Sequence, residues 1–175
     1  IVDDSIDEAN ETVVLTLSSP SNATLGSDKI HTYTIADNDS TPTIDFNTTS
    51  SSGAESVSSK SITVDLSGPS SEIVTVDFAV TGTATGSGGD YTLGDGTLSI
   101  AAGDTTGTIT IANIVDDTTD ETDETVIITL SSPSNASLGS DKVHTYTITD
   151  DDDQPEISFN VTTSSGSESI SSTAI

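Results

Sequence analysis

Between Ile73 and Val80, the residues Val74, Val76, Phe78 and Val80 fall on one face of an extended chain, and Thr75 and Asp77 fall on the other. That period of two is the signature of a half-buried strand. Ile62, Val64 and Leu66 alternate in the same way, as do Val126, Ile128 and Leu130. Runs of this kind, bounded by Gly, Ser, Asp and Pro, predict strands over Thr43 to Asn47, Ser61 to Ser67, Ile73 to Val80, Thr97 to Ile100, Gly107 to Ile114, Glu124 to Ser131 and Val143 to Thr149. No stretch shows the 3.6-residue period of an amphipathic helix. Thr and Val enrichment, with turn clusters between short runs, predicts an all-β fold, an antiparallel two-sheet sandwich of immunoglobulin-like type.

The pattern also recurs as a whole. Residues 1–39 return at 114–152 with 29 of 39 positions identical, an offset of 113, and Ile44 through Ile62 match Ile157 through Ile175 at the same offset. About 110 residues can bury a core of their own, so the period is that of a domain rather than of a solenoid turn. The chain therefore reads as a window on a tandem array. Residues 1–39 are the C-terminal part of a preceding repeat, 42–152 a complete repeat, and 155–175 the N-terminal part of a following one. Short acidic joints carrying Pro42 and Pro155 separate them, and proline favours an extended start to the next strand.

Composition narrows the partners. Three Lys and no Arg against 29 acidic residues leave a formal charge of -26, which excludes nucleic acid and anionic membrane surfaces as partners and points to cations. Regular apolar alternation between clustered acids argues for a folded chain rather than a solvating tail. About a third of the residues are Ser or Thr, and Cys, Met and Trp are absent, a profile expected of an exported, cell-surface repeat protein. No apolar run reaches the roughly 20 residues that span a bilayer.

Within the complete unit the acids gather at Glu55, at Asp90 in GSGGDY, along Asp116, Asp117, Asp120, Glu121, Asp123 and Glu124, and at Asp150 to Asp153. Loops of a sandwich alternate between its two ends, so Glu55, the Asp116 to Glu124 stretch and Asp150 to Asp153 can converge at one pole. Two unit charges 4 Å apart repel by about 1 kcal/mol in water and about 4 at an effective dielectric of 20. A bound cation reverses that sign. Carboxylates without His or Cys are hard oxygen donors, and their number suits calcium better than magnesium, while zinc is disfavoured. The competing reading is a solvated acidic surface, which composition alone leaves open. Asp45, Asp77 and Asp104 lie outside the constellation and are expected to be merely exposed.

Four stretches carry a resemblance: AESVSSKSITVDL at 54–66, GTATGSGGDYTLGDGTLSIAAGDTTGTITI at 82–111, IVDDTTDETDETVIITLSSP at 114–133 and HTYTITDDD at 144–152. In order and spacing the unit resembles a Calx-beta domain, the calcium-binding sandwich of sodium/calcium exchangers and of many large bacterial surface proteins. The resemblance implies calcium ligands at Glu55, Asp90, Asp116, Asp117, Glu121, Glu124, Asp150, Asp151 and Asp152, with the carbonyl of Thr119 as a further donor. The matching positions of the preceding repeat are Asp3, Asp4, Glu8, Glu11, Asp37 and Asp39, and Glu168 is the one in the following repeat. Asn38 stands where the complete unit has Asp151, so one charge is missing there.

Catalysis is not expected. His31 and His144 share one repeat position inside a strand and read as structural, and no Ser-His-Asp order suggests a triad. A carboxylate pair acting on sugars would need an aromatic cleft, and three Phe, three Tyr and no Trp do not supply one. Tyr33, Tyr91 and Tyr146 read as core aromatics. The expected function is a calcium-stiffened structural repeat of an extracellular adhesin stalk or filament, whose partners are calcium ions, neighbouring repeats and other copies in a filament. Two alternatives are a regulatory calcium sensor and a fibre subunit that assembles by strand complementation.

Overall fold

A computed structural model describes residues 1–169. The end of the following segment, residues 170–175, lies outside the described residues, and with it Ile170 and Ile175. Among the described residues eleven strands run in chain order: β1 Glu11–Thr16, β2 Ile30–Ile35, β3 Thr43–Phe46, β4 Ser50–Ala54, β5 Ser59–Leu66, β6 Val74–Gly82, β7 Gly96–Ile100, β8 Thr106–Ala112, β9 Glu124–Ser134, β10 Ser137–Leu138 and β11 Val143–Thr149. No helix among the described residues is long and apolar enough to cross a membrane.

Two sheets make the sandwich, one ordered β10-β3-β5-β8 and the other β4-β11-β9-β6-β7. Their inner faces are the residues the alternation marked. Ile62, Val64 and Leu66 of β5 and Ile109 and Ile111 of β8 are buried, opposite Val74 and Val76 of β6, Val126, Ile128 and Leu130 of β9, and Tyr146 and Ile148 of β11. Register follows from this burial, because a slip of one residue would turn each inner set to solvent. The pairs Ile44 with Leu66, Ile62 with Ile109 and Phe78 with Leu130 keep the apolar rows aligned.

Two strands escaped the sequence pattern. β4 reads SSSGA and has no apolar alternation, and β10 is only two residues long. Both pair in parallel, β4 with β11 and β10 with β3, so the sandwich is not wholly antiparallel. The chain leaves the first sheet after β3 and joins the second as β4. His144 fixes that crossing: it is buried, its Nδ1 lies 2.6 Å from the carbonyl of Thr48 and its Nε2 lies 2.9 Å from Ser51 Oγ. A carbonyl only accepts, so Nδ1 carries the proton and Nε2 accepts from the serine hydroxyl. His144 is structural, as expected. His31 and Tyr33 are exposed in this chain, where among the described residues β1 and β2 pair only with each other.

Asp45 also departs from expectation. It is half-buried, accepts the backbone N–H of Asp141 at 2.9 Å, and sits against Gly139, where a Cβ would collide with its carboxylate. The short β10–β3 pairing closes the chain over it. Asp77 and Asp104 are exposed. At the end of β6, Gly82 has φ +137° and faces the Thr125 carbonyl so closely that no side chain would fit. That tight approach brings the following loop, which carries Asp90, toward the start of β9.

Candidate metal centre

The parallel pairing of β4 with β11 ends both strands at the same pole, with Ala54 beside Thr149. Glu55 follows directly and its N–H donates to the Thr149 carbonyl at 3.1 Å, so its carboxylate stands next to the Asp150–Asp152 run. Glu55 thus comes after the second strand of the unit, not the first. β9 begins at Glu124, opposite Ile148 of β11. The β8–β9 loop brings Asp116, Asp117 and Glu121 to this pole, and the β6–β7 loop brings Asp90, whose carbonyl accepts the N–H of Val115 at 2.9 Å.

Two sets of carboxylates converge there. Glu55, Asp150 and Asp152 offer oxygens within 4.8 Å of one another, and so do Glu55, Asp116 and Asp151. Glu55 belongs to both. Alongside them a cavity of about 40 Å³ is lined by Glu55, Asp90, Asp117, Glu121, Glu124 and Asp150. Thr119 lies in the same loop, where its N–H donates to Asp117 Oδ1 at 2.7 Å. The structure therefore gathers the acidic positions of the complete unit at one end of the sandwich.

Their electrostatics are those of carboxylates crowded at one pole. Glu55 is buried, and its pKa is pushed up to about 7, first by desolvation and then by Asp150, Asp152, Asp151 and Asp117. Glu124 is also pushed up to about 7 by burial, then by a hydrogen bond with Asp90 and the charges of Asp90 and Glu121. Desolvation and neighbouring carboxylates raise Asp152 as well. Asp117 goes the other way, because the Thr119 N–H stabilises its charged form. Glu55 Oε1, Asp150 Oδ1 and Asp152 Oδ2 are buried without a hydrogen-bond partner. A buried polar atom left unpaired costs about 1 to 3 kcal/mol, more when charged, and all three lie in the first carboxylate set. An all-oxygen donor set with unmet acceptors fits a hard divalent cation.

A second acidic cluster is formed by residues 1–39. A cavity of about 80 Å³ is lined by Asp3, Asp4, Glu8, Glu11, Asp37 and Asp39 among others. Asn38 Nδ2 donates to Asp3 Oδ1 at 3.3 Å, so this uncharged position supplies a donor where its counterpart Asp151 supplies an acceptor. Desolvation, followed by surrounding acids, raises the pKa of Glu8 and Asp39. Glu168 is exposed in a turn and joins neither cluster.

The family model of the Calx-beta domain matches residues 1–39 and 37–152. The chain belongs to the Calx-beta family. Solved structures agree with that fold. A structure described as the apo-form Calx CBD1 domain is 27% identical with a TM-score of 0.58, covering 65% of this chain and 100% of that one. CBD12 from CALX1.2 is 25% identical with a TM-score of 0.56, covering 62% of this chain and 44% of that one. The calcium binding domain CBD12 of CALX1.1 is 28% identical with a TM-score of 0.54, covering 62% and 46%. The chain thus spans less than half the length of the two CBD12 structures. No curated protein matches it. Calx-beta domains are calcium-binding modules, and the acidic pole of this one has the donors for that ion.

Proposed function

We propose that residues 42–152 are a non-catalytic calcium-binding module that works as a structural repeat of an extracellular surface protein, an adhesin stalk or filament, and that calcium stiffens both the sandwich and its joint to the next unit. One observation carries the reading: three buried carboxylate oxygens, on Glu55, Asp150 and Asp152, converge with no partner. Calcium supplies the positive charge that neutralises them. Glu55, Asp150 and Asp152 would hold one ion and Glu55, Asp116 and Asp151 a second, with Asp90, Asp117, Glu121 and Glu124 closing the remaining face and the Thr119 carbonyl as a further donor. Asp3, Asp4, Glu8, Glu11, Asp37 and Asp39 would hold calcium in the preceding unit.

The chain's own residues set the effect. Glu55 extends β4, Glu124 opens β9 and Asp150 extends β11, so an ion shared among them ties three neighbouring strands and the outgoing linker together. Ser56 Oγ donates to Asp151 Oδ2 at 2.9 Å and holds that linker in place. Near-identical acids at an offset of 113 favour a repeated mechanical part over a single tuned sensor. Likeness to the calcium binding domain CBD12 of CALX1.1 keeps a regulatory sensor as the alternative.

Thermal unfolding of the chain with calcium and with chelator tests the reading. Chelation is expected to lower the melting temperature by more than about 10 °C, since occupancy at one hundred times Kd adds about 2.7 kcal/mol per site. Asp117→Asn is expected to remove much of the difference. Coincident curves with calcium and with chelator would overturn the proposal.

A further inference from the structure

The acidic loop of residues 1–39 does more than line its own cavity. Its outer edge lies against the turn between β5 and β6 of the complete unit. Asp7 and Ser70 form a parallel β-bridge: the Asp7 N–H donates to the Pro69 carbonyl at 3.3 Å, and the Ser71 N–H donates to the Asp7 carbonyl at 3.0 Å. Ser71 Oγ donates to that same carbonyl at 3.0 Å, and Thr41 Oγ1, from the linker, donates to Asp7 Oδ1 at 3.4 Å. Four hydrogen bonds therefore meet on one residue that belongs to neither proposed ligand set.

The receiving turn is built to be rigid. Ser70 is only 1% exposed although polar. Its carbonyl accepts the Gly103 N–H at 2.8 Å, and its Oγ accepts the Glu72 N–H at 3.2 Å. Pro69 limits the backbone on the other side. The turn thus presents one carbonyl and one N–H at fixed spacing, the edge of a strand with room for one residue. Asp7 fills it.

We propose that the Pro69–Ser71 turn and the outer edge of the acidic loop are a paired joint surface, by which each unit grips the loop of the unit before it, and that Asp120 is the corresponding edge for a following copy. This rests on reading residues 1–39 and 42–152 as consecutive units. The two loops share their internal bonding. Ile6 N–H donates to Asp4 Oδ1 at 3.0 Å, and Thr119 N–H donates to Asp117 Oδ1 at 2.7 Å. Asp37 N–H donates to Asn10 Oδ1 at 2.9 Å, and Asp150 N–H donates to Asp123 Oδ1 at 3.3 Å. Each pair is related by the 113-residue offset, so the two loops hold the same shape. Asp120 is exposed, and its backbone groups make no hydrogen bond among the described residues. Recognition runs mainly through the backbone, which explains how the joint tolerates Ile6 in one loop and Thr119 in the other.

Amide hydrogen exchange on the whole chain tests this. The Ser71 N–H is on an exposed residue and its acceptor is Asp7 alone, so its protection reports the joint. In calcium-saturated protein it should exchange at least roughly tenfold more slowly than an unstructured amide. Asp7→Pro keeps the carbonyl that accepts the Ser71 N–H but deletes the opposite bond to Pro69, and should lower that protection while the amides of Ile111 and Tyr146 stay protected. An unprotected Ser71, or protection left unchanged by Asp7→Pro, overturns the joint. Calcium binding is followed in the same samples through the Asp117 and Glu124 amides: calcium shifts there with an unprotected Ser71 would remove the joint alone, whereas a protected Ser71 with no calcium response would support the joint and remove only the metal reading.

Discussion

Replacing Glu55 by Gln should act in opposite directions with and without calcium. Without the ion, Glu55 is buried beside Asp150, Asp152, Asp151 and Asp117, and its pKa stands at about 7 against an ordinary 4.5. Each tenfold change in the acidity constant corresponds to about 1.36 kcal/mol, so above pH 7 the charged side chain costs the metal-free fold roughly 3 kcal/mol. Coulomb's law agrees in size: a pair of carboxylate oxygens at the 4.8 Å limit of these groups repels by about 3.5 kcal/mol at an effective dielectric of 20. Gln keeps the shape, removes the charge and adds an N–H₂ that can donate to the unpartnered oxygens of Asp150 or Asp152. In chelator at pH 8 the variant is therefore expected to be more stable by up to about 3 kcal/mol, an increase in melting temperature on the order of 10 °C. With calcium it loses a charged donor common to both carboxylate sets, so the calcium-induced rise should largely vanish and the variant should melt below the wild type. The assay is thermal unfolding of both proteins at pH 8, each with calcium and with chelator. If the variant melts below wild type in chelator, Glu55 is not a strained buried charge. If it keeps the full calcium increment, Glu55 is not a shared ligand.

Stability of the metal-free protein should fall as pH rises from 4.5 to about 7. Glu55 and Glu124 have raised folded-state pKa values, so both states are protonated below 4.5, the unfolded chain ionises first above it, and the penalty is complete above about 7. Chelated samples melted between pH 4.5 and 8 check this, and a melting temperature that climbs over that window would contradict it. Calcium binding across the same range should release protons, seen by calorimetry as a binding heat that depends on the ionisation enthalpy of the buffer; a buffer-independent heat near pH 6 would contradict it. Tyr146→Phe should leave stability unchanged or raise it by about 1 kcal/mol despite full burial, because the hydroxyl it removes has no partner; a loss above about 2 kcal/mol in denaturant unfolding would show that the hydroxyl is satisfied in solution.

The alternation of Val74, Val76 and Phe78, of Ile62, Val64 and Leu66, and of Val126, Ile128 and Leu130 was enough to predict a sandwich and its inner faces, because side chains on a strand alternate and burial selects one set. The repeat at 113 residues and the placement of the acids were equally legible in the sequence, and they marked out calcium as the partner to expect. What no local pattern carried was the crossing from β3 to β4. Ser50–Ala54 is too short in apolar residues to announce a strand, and its parallel partner lies more than 90 residues away in sequence. That pairing sets the buried Glu55 beside Asp150, and with it gives an otherwise largely exposed set of acids three buried oxygens that have no partner. The Asp7–Ser70 bridge is of the same kind. Its bonds are made by backbone groups of two turns 63 positions apart, and backbone groups are the same for every sequence, so only their placement in the folded chain gives them a partner.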